Sequence, residues 1–206
     1  MAQASVSGRV TRLLLNPNGD VDGFLLEDGT QVATPPHWSA RIVDVIKGHD
    51  PVTVTGQRAN DGSVVRAAEV RADASGRSVT DNGPDGAPPV PREPSPLVPL
   101  SANGRIAAVL HTDRGDVDGV VLENGTSVRF PPPAGVQFSD LLKPGQMLYA
   151  EGYGTTNDLG RALEATQLGA SRRGRQEVFA PPPGPDGGLP VGRPVVPPPP
   201  GIAGQP

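Results

Sequence analysis

Cysteine is absent from this chain of 206 residues, and the three histidines have no metal-ligand spacing among themselves. The first absence excludes disulfide scaffolds, cysteine-ligated zinc, iron–sulfur clusters and thiol catalysis. The second argues against a histidine-based zinc site. The sequence also has no phosphate loop, no dinucleotide-binding glycine pattern and no nucleophile elbow. We therefore expect no metal, no cofactor and no enzyme activity.

Long apolar runs and a surplus of positive charge are also missing. No stretch approaches the roughly 20 apolar residues of a transmembrane helix, and the first residues show no secretory signal, so we expect no membrane contact and a cytoplasmic location. The net charge is −4, and lysine occurs only as Lys47 and Lys143. Nucleic-acid-binding domains usually have a basic surplus, because neutralising phosphates supplies most of their non-specific affinity. The composition thus argues against a strong sequence-independent DNA binder.

The sequence does contain a long internal repeat. The stretch Gly19-Asp20-Val21-Asp22-Gly23 recurs 96 residues later as Gly115-Asp116-Val117-Asp118-Gly119. With this offset held from Gly8 to Gly56, 18 of the 49 aligned pairs are identical. Two extra residues before the last strand of the second copy raise the offset to 98. The chain is therefore one domain duplicated.

Each copy has the pattern of three strands, a short helix and two strands. Turn residues such as Asp28-Gly29 separate the apolar runs, and Pro35-Pro36 ends the third strand because proline cannot donate to a ladder. The run Phe24-Leu25-Leu26 is apolar on both faces, which is typical of a well-covered strand. We expect strands at 5–15, 21–27, 30–34, 52–56 and 64–70, with a helix at 39–47. In the second copy we expect strands at 106–110, 117–122, 126–130, 147–150 and 163–168, with the helix face at 138, 141 and 142.

Glycine and proline, with 27 and 26 residues, concentrate in two segments that have few large apolar residues. A five-stranded sheet of about 70 residues would expose free edges unless it closed into a barrel. We therefore predict an all-β fold of two small five-stranded β-barrels, each with a short helix between strands three and four. The predicted bounds are a first barrel at 5–72, a Pro/Gly-rich linker at 73–100, a second barrel at 101–170 and a disordered Pro-rich tail at 171–206.

This order of elements, with Gly8 in strand one and Val52-x-Val54-x-Gly56 in strand four, resembles the oligonucleotide/oligosaccharide-binding fold (OB-fold). The resemblance covers about 5–71 and 101–169. The chain is also similar to uncharacterised bacterial proteins with paired Gly-Asp-x-Asp-Gly…Asp-Gly-Thr-x-Val…Pro-Pro repeats. The resemblance implies a binding protein, since OB-folds bind nucleic acids, sugars or proteins. It places the ligand on strands two and three, between the loops that join strands one to two and four to five.

Candidate ligand-binding residues follow from that placement. We expect Phe130 to be an exposed stacking ring and Tyr153 to be exposed in the four–five loop, whereas Phe24 and Trp38 belong to the core. The basic candidates on or near strands are Arg9, Arg12, Arg58, Arg66, Arg105 and Arg129, with Arg71 and Arg161 as further scattered charge. The carboxylates of the one–two loops, such as those of Asp20 and Asp22, oppose phosphate binding there. Aromatic residues make up only 3% of the chain, which is poor for a stacking platform.

Two functional hypotheses remain, both for a non-enzymatic binding protein. One is a weak binder of single-stranded DNA or RNA. The other is a protein-interaction scaffold that docks a partner through the barrel surfaces or the Pro-rich tail. A sugar or small-ligand binder has only the fold in its favour. A positive groove over strands two and three would favour nucleic acid, and an apolar or acidic surface there would favour a protein partner.

Overall fold

The computed structural model describes residues 2–59, 62–80 and 96–178. Within these residues the first copy contains six strands, a 3-10 helix at Pro36–Trp38 and one α-helix, and the second copy repeats the strands and the α-helix. The elements of the first copy are β1 (Ala2–Leu15), β2 (Val21–Leu26), β3 (Gln31–Ala33), α1 (Ser39–Val45), β4 (Pro51–Arg58), β5 (Val64–Ala72) and β6 (Ser78–Thr80). Those of the second are β7 (Val98–His111), β8 (Val117–Leu122), β9 (Ser127–Arg129), α2 (Pro132–Gln137), β10 (Met147–Asn157), β11 (Gly160–Gly169) and β12 (Gln176–Glu177).

Each copy closes into a barrel of five strands. In the first, the ring runs β1-β2-β3-β5-β4 and returns to β1. All neighbours are antiparallel except β3 and β5, which pair in parallel with Val32 opposite Val65. The second ring follows the same order, and Val128 lies opposite Leu163 in its parallel pair. Closure leaves no free edge within either ring, and the prediction of two five-stranded barrels is confirmed.

The strand register shows where the two copies differ in length. A β-bulge interrupts the pairing of β4 with β5 beside Gly56, which lies opposite Ala67. The same bulge interrupts β10 and β11 beside Gly152, which lies opposite Ala165. The offset is thus 96 in the fourth strand and 98 in the fifth, so the two inserted residues lie in the hairpin between them. At Gly152 a Cβ would overlap the carbonyl oxygen of Glu164, so only glycine fits this bulge.

The barrel interiors contain the predicted core residues. Phe24 and Trp38 are fully buried in the first barrel, as expected. In the second, Phe138 and Leu142 are also buried, but α2 ends before both of them. The predicted position of the second helix is therefore wrong. Its proline-rich start explains the shift, because Pro132 fits the first turn of a helix, where no backbone N–H is needed.

The predicted linker and tail begin too early. Strand β6 lies inside the predicted linker and pairs with β5, with Val79 opposite Val70. Strand β12 lies inside the predicted tail and pairs with β11. Strand β7 begins at Val98, before the predicted start of the second barrel. These segments are ordered by backbone pairing to a barrel strand, which their polar composition does not show. The remainder of the predicted linker, 81–95, and the Pro-rich tail from 179 onward lie outside the described residues. Among the described helices, none has the length and apolar character needed to cross a membrane.

Candidate nucleic-acid interface

The two barrels pack against each other through the outer faces of their first two strands. Leu14 and Leu25 of the first barrel form a buried cluster with Leu110 and Val121 of the second. Leu14 is equivalent to Leu110 in the repeat, and Leu25 is equivalent to Val121. The contact is therefore a pseudo-two-fold interface, in which the same patch of each copy meets its counterpart. It explains why Leu25 is apolar although it points away from its own barrel core.

This packing covers the strands on which the resemblance places a ligand. In addition to Leu25 on β2, Gln31 on β3 is buried against the other barrel. Its Nε2 donates to the carbonyl of His111 at 3.0 Å, and its Oε1 accepts from the His111 backbone N–H at 2.9 Å. In the described part of the chain, strands two and three therefore carry no open positive groove. Their outer face, which includes Leu25 and Gln31, is occupied by the neighbouring barrel.

Arg129 lies at the edge of this interface between two equivalent carboxylates. Its Nη2 donates to Asp22 Oδ1 and Oδ2 at 2.9 and 3.0 Å, and its Nη1 lies 3.6 Å from Asp118 Oδ1. Burial raises the pKa of both aspartates, and the charge of Arg129 opposes that rise. Because the Arg129 side chain is 13% exposed and is held by carboxylates, its charge is not available to a ligand.

The loops that would flank an OB-fold ligand contact each other across the interface. The β10–β11 hairpin reaches the one–two loop of the first barrel, where Thr155 Oγ1 donates to the Pro17 carbonyl at 2.8 Å and Asn157 Nδ2 to the Gly19 carbonyl at 3.0 Å. In the reciprocal position, Arg66 pairs with Asp113 at 3.2 Å. The charge of Arg66 is thus also compensated.

The two aromatic candidates do not form a stacking surface. Phe130 is 4% exposed and belongs to the core of the second barrel, so the expectation of an exposed ring is wrong. Its equivalent, Thr34, is buried too, because the chain turns inward after the third strand of both copies. Tyr153 is half-buried on β10, opposite Glu164, so the expectation that it is exposed in the four–five loop is also wrong. It does not line the clefts between the barrels.

The aligned pair Arg9 and Arg105 has a structural contact in each copy. Arg9 Nη1 donates to the His49 carbonyl at 3.5 Å, and Arg105 Nη1 donates to the equivalent Gly145 carbonyl at 2.9 Å. Both therefore help to hold the chain that enters the fourth strand. Among the described residues neither has a carboxylate partner. Arg58 donates to the Gly62 carbonyl at 3.1 Å, and its charge contributes to lowering the pKa of Asp28.

A cleft of about 700 Å³ lies between the barrels on one side of the interface. We call it the basic cleft and define it by four of its polar side chains, those of Arg12, His49, Asn124 and Arg161. No described carboxylate lines it. Arg12 crosses the interface and donates to the Leu122 carbonyl at 3.3 Å. Arg161 donates to the Ser101 carbonyl at 2.9 Å through Nη2, and its Nε is buried without a hydrogen-bond partner.

A second cleft, of about 460 Å³, has the opposite charge. Asp22, Asp113, Asp116 and Asp118 line it, together with Arg114 and Arg129. Within the described chain, no group of three His, Asp or Glu side chains is arranged to hold a metal ion. Three of the four carboxylates, those of Asp22, Asp113 and Asp118, instead pair with arginine at the barrel interface. With four carboxylates against two lining arginines, this cleft is unfavourable for phosphate.

Comparison with known proteins finds distant likenesses among solved structures. No protein-family model and no curated protein sequence matches the chain. Among solved structures, a deletion mutant of the single-stranded DNA binding protein from Thermus aquaticus is 17% identical with a TM-score of 0.25, over 89% of this chain and 97% of that chain. The wild-type form of the same protein is 18% identical with a TM-score of 0.25, over 86% and 96% of the two chains.

A TM-score of 0.25 is too low to indicate a shared arrangement, so the fold is assigned on the strand order itself. Five strands close in the order one, two, three, five, four, and a helix follows the third. This order is that of the OB-fold, and it occurs once in each copy of the repeat. The chain is a tandem OB-fold protein.

Proposed function

We propose that this protein is a non-enzymatic binder of single-stranded nucleic acid, with weak affinity and no sequence preference, and that it holds the phosphate backbone at the basic cleft. The observation that carries the proposal is the pair of arginines, Arg12 and Arg161, that line one cleft with no carboxylate beside them. A guanidinium group binds phosphate oxygens through a planar fork of N–H donors. A cleft between two barrels can also follow an extended strand better than a single flat face.

Weak binding follows from what surrounds the cleft. Base stacking on aromatic rings contributes about 1–3 kcal/mol per base in single-strand binders, but among the described residues no Phe, Tyr or Trp ring lines this cleft. The affinity must therefore come mainly from phosphate contacts, which release counterions and are sensitive to salt. With two arginines, the slope of log K against log salt concentration should be about −1.4, from about −0.7 for each phosphate contact on a single strand.

The test is a fluorescence-anisotropy titration of the full chain against labelled oligo(dT), oligo(dA) and oligo(U) at low ionic strength. We expect saturable binding that weakens with salt at the slope given above, with little difference among the three probes. A protein of the same net charge but different fold serves as the control. Binding no stronger than that of the control would refute the proposal.

The scaffold hypothesis stays a prediction. The apolar face that would favour a protein partner is covered by the second barrel, and the Pro-rich tail lies outside the described residues. Deleting residues 179–206 and comparing the proteins that co-purify with the two forms would test it.

A further inference from the structure

The basic cleft has a structural twin on the other side of the pseudo-two-fold axis. The twin cleft, of about 330 Å³, is lined by the β2–β3 turn of the first barrel, the tip of its β4–β5 hairpin, and strand β7 of the second barrel. The basic cleft is lined by the corresponding parts with the barrels exchanged. The equivalent lining pairs are Asn124 and Asp28, Gly125 and Gly29, Thr126 and Thr30, Arg161 and Ser63, Leu13 and Val109, and Leu15 and His111. The duplication has therefore built the same cleft twice.

The two clefts differ in charge. Arg161 of the basic cleft corresponds to Ser63 in the twin. Arg12 corresponds to Ala108, and Asn124 corresponds to Asp28. One cleft is thus lined by two guanidinium groups, whereas the twin is lined by a carboxylate, and the guanidinium group beside the twin, that of Arg58, is bonded to the Gly62 carbonyl.

The Asn124 and Asp28 pair shows that the turn itself does not require this difference. Asn124 Oδ1 accepts a hydrogen bond from the Thr126 backbone N–H at 3.1 Å. Asp28 Oδ1 accepts the equivalent bond from Thr30 at 2.9 Å. That backbone hydrogen bond is the main cause of the lowered pKa of Asp28, so its carboxylate is ionised at neutral pH. Both side chains support the same turn, and only the charge that they present differs.

A glycine beside Arg12 makes room for its guanidinium group. A Cβ on Gly125 would lie 3.0 Å from Arg12 Nη1, whereas a Cβ on Gly29 in the twin would have no atom of the described residues within 4 Å. Arg12 is therefore packed against this turn and fixed by its bond to Leu122. A guanidinium group has five N–H donors, and one hydrogen bond to a carbonyl leaves others for a ligand. Arg161 likewise uses Nη2 in one bond to the Ser101 carbonyl, which leaves other guanidinium donors for a ligand.

From these differences we infer that the basic cleft is a phosphate-binding subsite that occurs once per chain, and that the twin cleft does not bind phosphate. The inference rests on the proposed function, since it specifies where and how often a nucleic-acid backbone is held. Its ligand chemistry is a phosphate or phosphodiester group that accepts hydrogen bonds from Arg12 and Arg161. A binding mode spread evenly over both barrels is the alternative.

The test compares two variants of the full chain. Arg12→Ala combined with Arg161→Ser places in the basic cleft the residues that the twin already has, so both are compatible with the fold. Asp28→Asn is the matched control, because it places in the twin the residue of the basic cleft. The Leu122 carbonyl keeps a partner in the first variant, since it also accepts from the Gly125 N–H at 2.8 Å. Circular dichroism and thermal unfolding establish that each variant is folded.

Each variant is titrated with inorganic pyrophosphate, followed by NMR amide shifts, and with labelled oligo(dT), followed by anisotropy. Each lost charge-assisted contact should weaken binding on the order of tenfold, so the double variant should bind both probes about a hundredfold more weakly. Asp28→Asn should bind both probes at least as well as the natural chain.

The outcomes separate this inference from the proposed function. Oligo(dT) binding that is unchanged in the double variant overturns the inference and the placement of the phosphate backbone at the basic cleft, and it leaves only the binding of single-stranded nucleic acid standing. Pyrophosphate binding that is lost in the double variant, without any oligo(dT) binding by the natural chain, supports the subsite and overturns the proposed function. If neither probe binds the natural chain, both are overturned.

Discussion

Replacing Arg129 with methionine should destabilise the contact between the two barrels. The guanidinium group holds Asp22 at 2.9 Å and lies 3.6 Å from Asp118. Removing one partner of a buried ion pair costs about 3–5 kcal/mol, because a charge is left without compensation. The side chains of Arg129, Asp22 and Asp118 are 13%, 22% and 26% exposed, so we expect the lower end, about 3 kcal/mol. For a chain of this size that corresponds to a fall in Tm of about 6–12 °C.

The stability that the Arg129 variant loses should be larger at neutral pH than at acidic pH. Burial raises the pKa of Asp22 and Asp118 above the ordinary value of 3.8 in the folded state. The folded chain therefore binds more protons than the unfolded chain just above pH 3.8, and stability falls as the pH rises through the folded pKa values. Arg129 lowers both folded pKa values, so its loss raises them further. The pH range over which stability falls then extends to higher pH. The variant should thus be least stable near neutral pH, relative to the natural chain, and its deficit should shrink on acidification.

Calorimetric or circular-dichroism melts between pH 4 and pH 8 measure both effects. Arg66→Met is the control, because its ion pair with Asp113 also crosses the interface but the arginine side chain is 62% exposed. Exposed pairs contribute about 0–1 kcal/mol. Adding Asp22→Asn to the Arg129 variant should recover part of the lost stability. An Arg129 variant as stable as the Arg66 control at every pH would contradict the barrel packing described above.

Two further predictions concern packing. Leu110→Ala removes a fully buried side chain from the barrel interface, and urea unfolding should show a loss of about 3 kcal/mol in stability. The control Val136→Ala, at a site that is 77% exposed, should change stability by less than about 0.5 kcal/mol. Equal effects of the two substitutions would argue against a covered face. Gly152→Ala should sharply lower the yield of folded protein, since its Cβ would overlap a backbone carbonyl. The control Gly29→Ala, at φ +85° with no described atom near its Cβ, should cost about 1–2 kcal/mol of stability. A folded, stable Gly152→Ala chain would contradict the bulge.

The barrels themselves could be predicted from the sequence because each local strand or turn pattern occurs in both copies of the repeat. A weak pattern that recurs at the same offset is informative, as for Val21 and Val117 at the start of the second strand. Strands β6 and β12 were missed, although Gly76-Arg77 recurs as Gly174-Arg175 at the offset of 98. Their polar composition is typical of loops, and only backbone pairing to β5 and β11 makes them strands.

The candidate site was harder to predict, because it forms between the barrels. Phe130 was expected at the surface, although its equivalent Thr34 occupies a buried position. Leu25 indicates that strand two is covered on its outer face, since a strand that is apolar on both faces needs a second covering layer. The divergence of Arg12 from Ala108 is visible in the repeat alignment. That Arg12 and Arg161 share one cleft depends on which barrel faces meet, and no local pattern encodes that.

The central claim is that nucleic acid is held at the basic cleft and not at its twin, and an NMR titration of the full chain with oligo(dT) tests it most directly. Both clefts report in the same spectrum, so each serves as the reference for the other. We predict amide shifts at residues 12, 49, 124–126 and 156–161, with none at residues 28–30 and 62–63. Shifts of equal size in both clefts, or shifts confined to other surfaces, would contradict the claim.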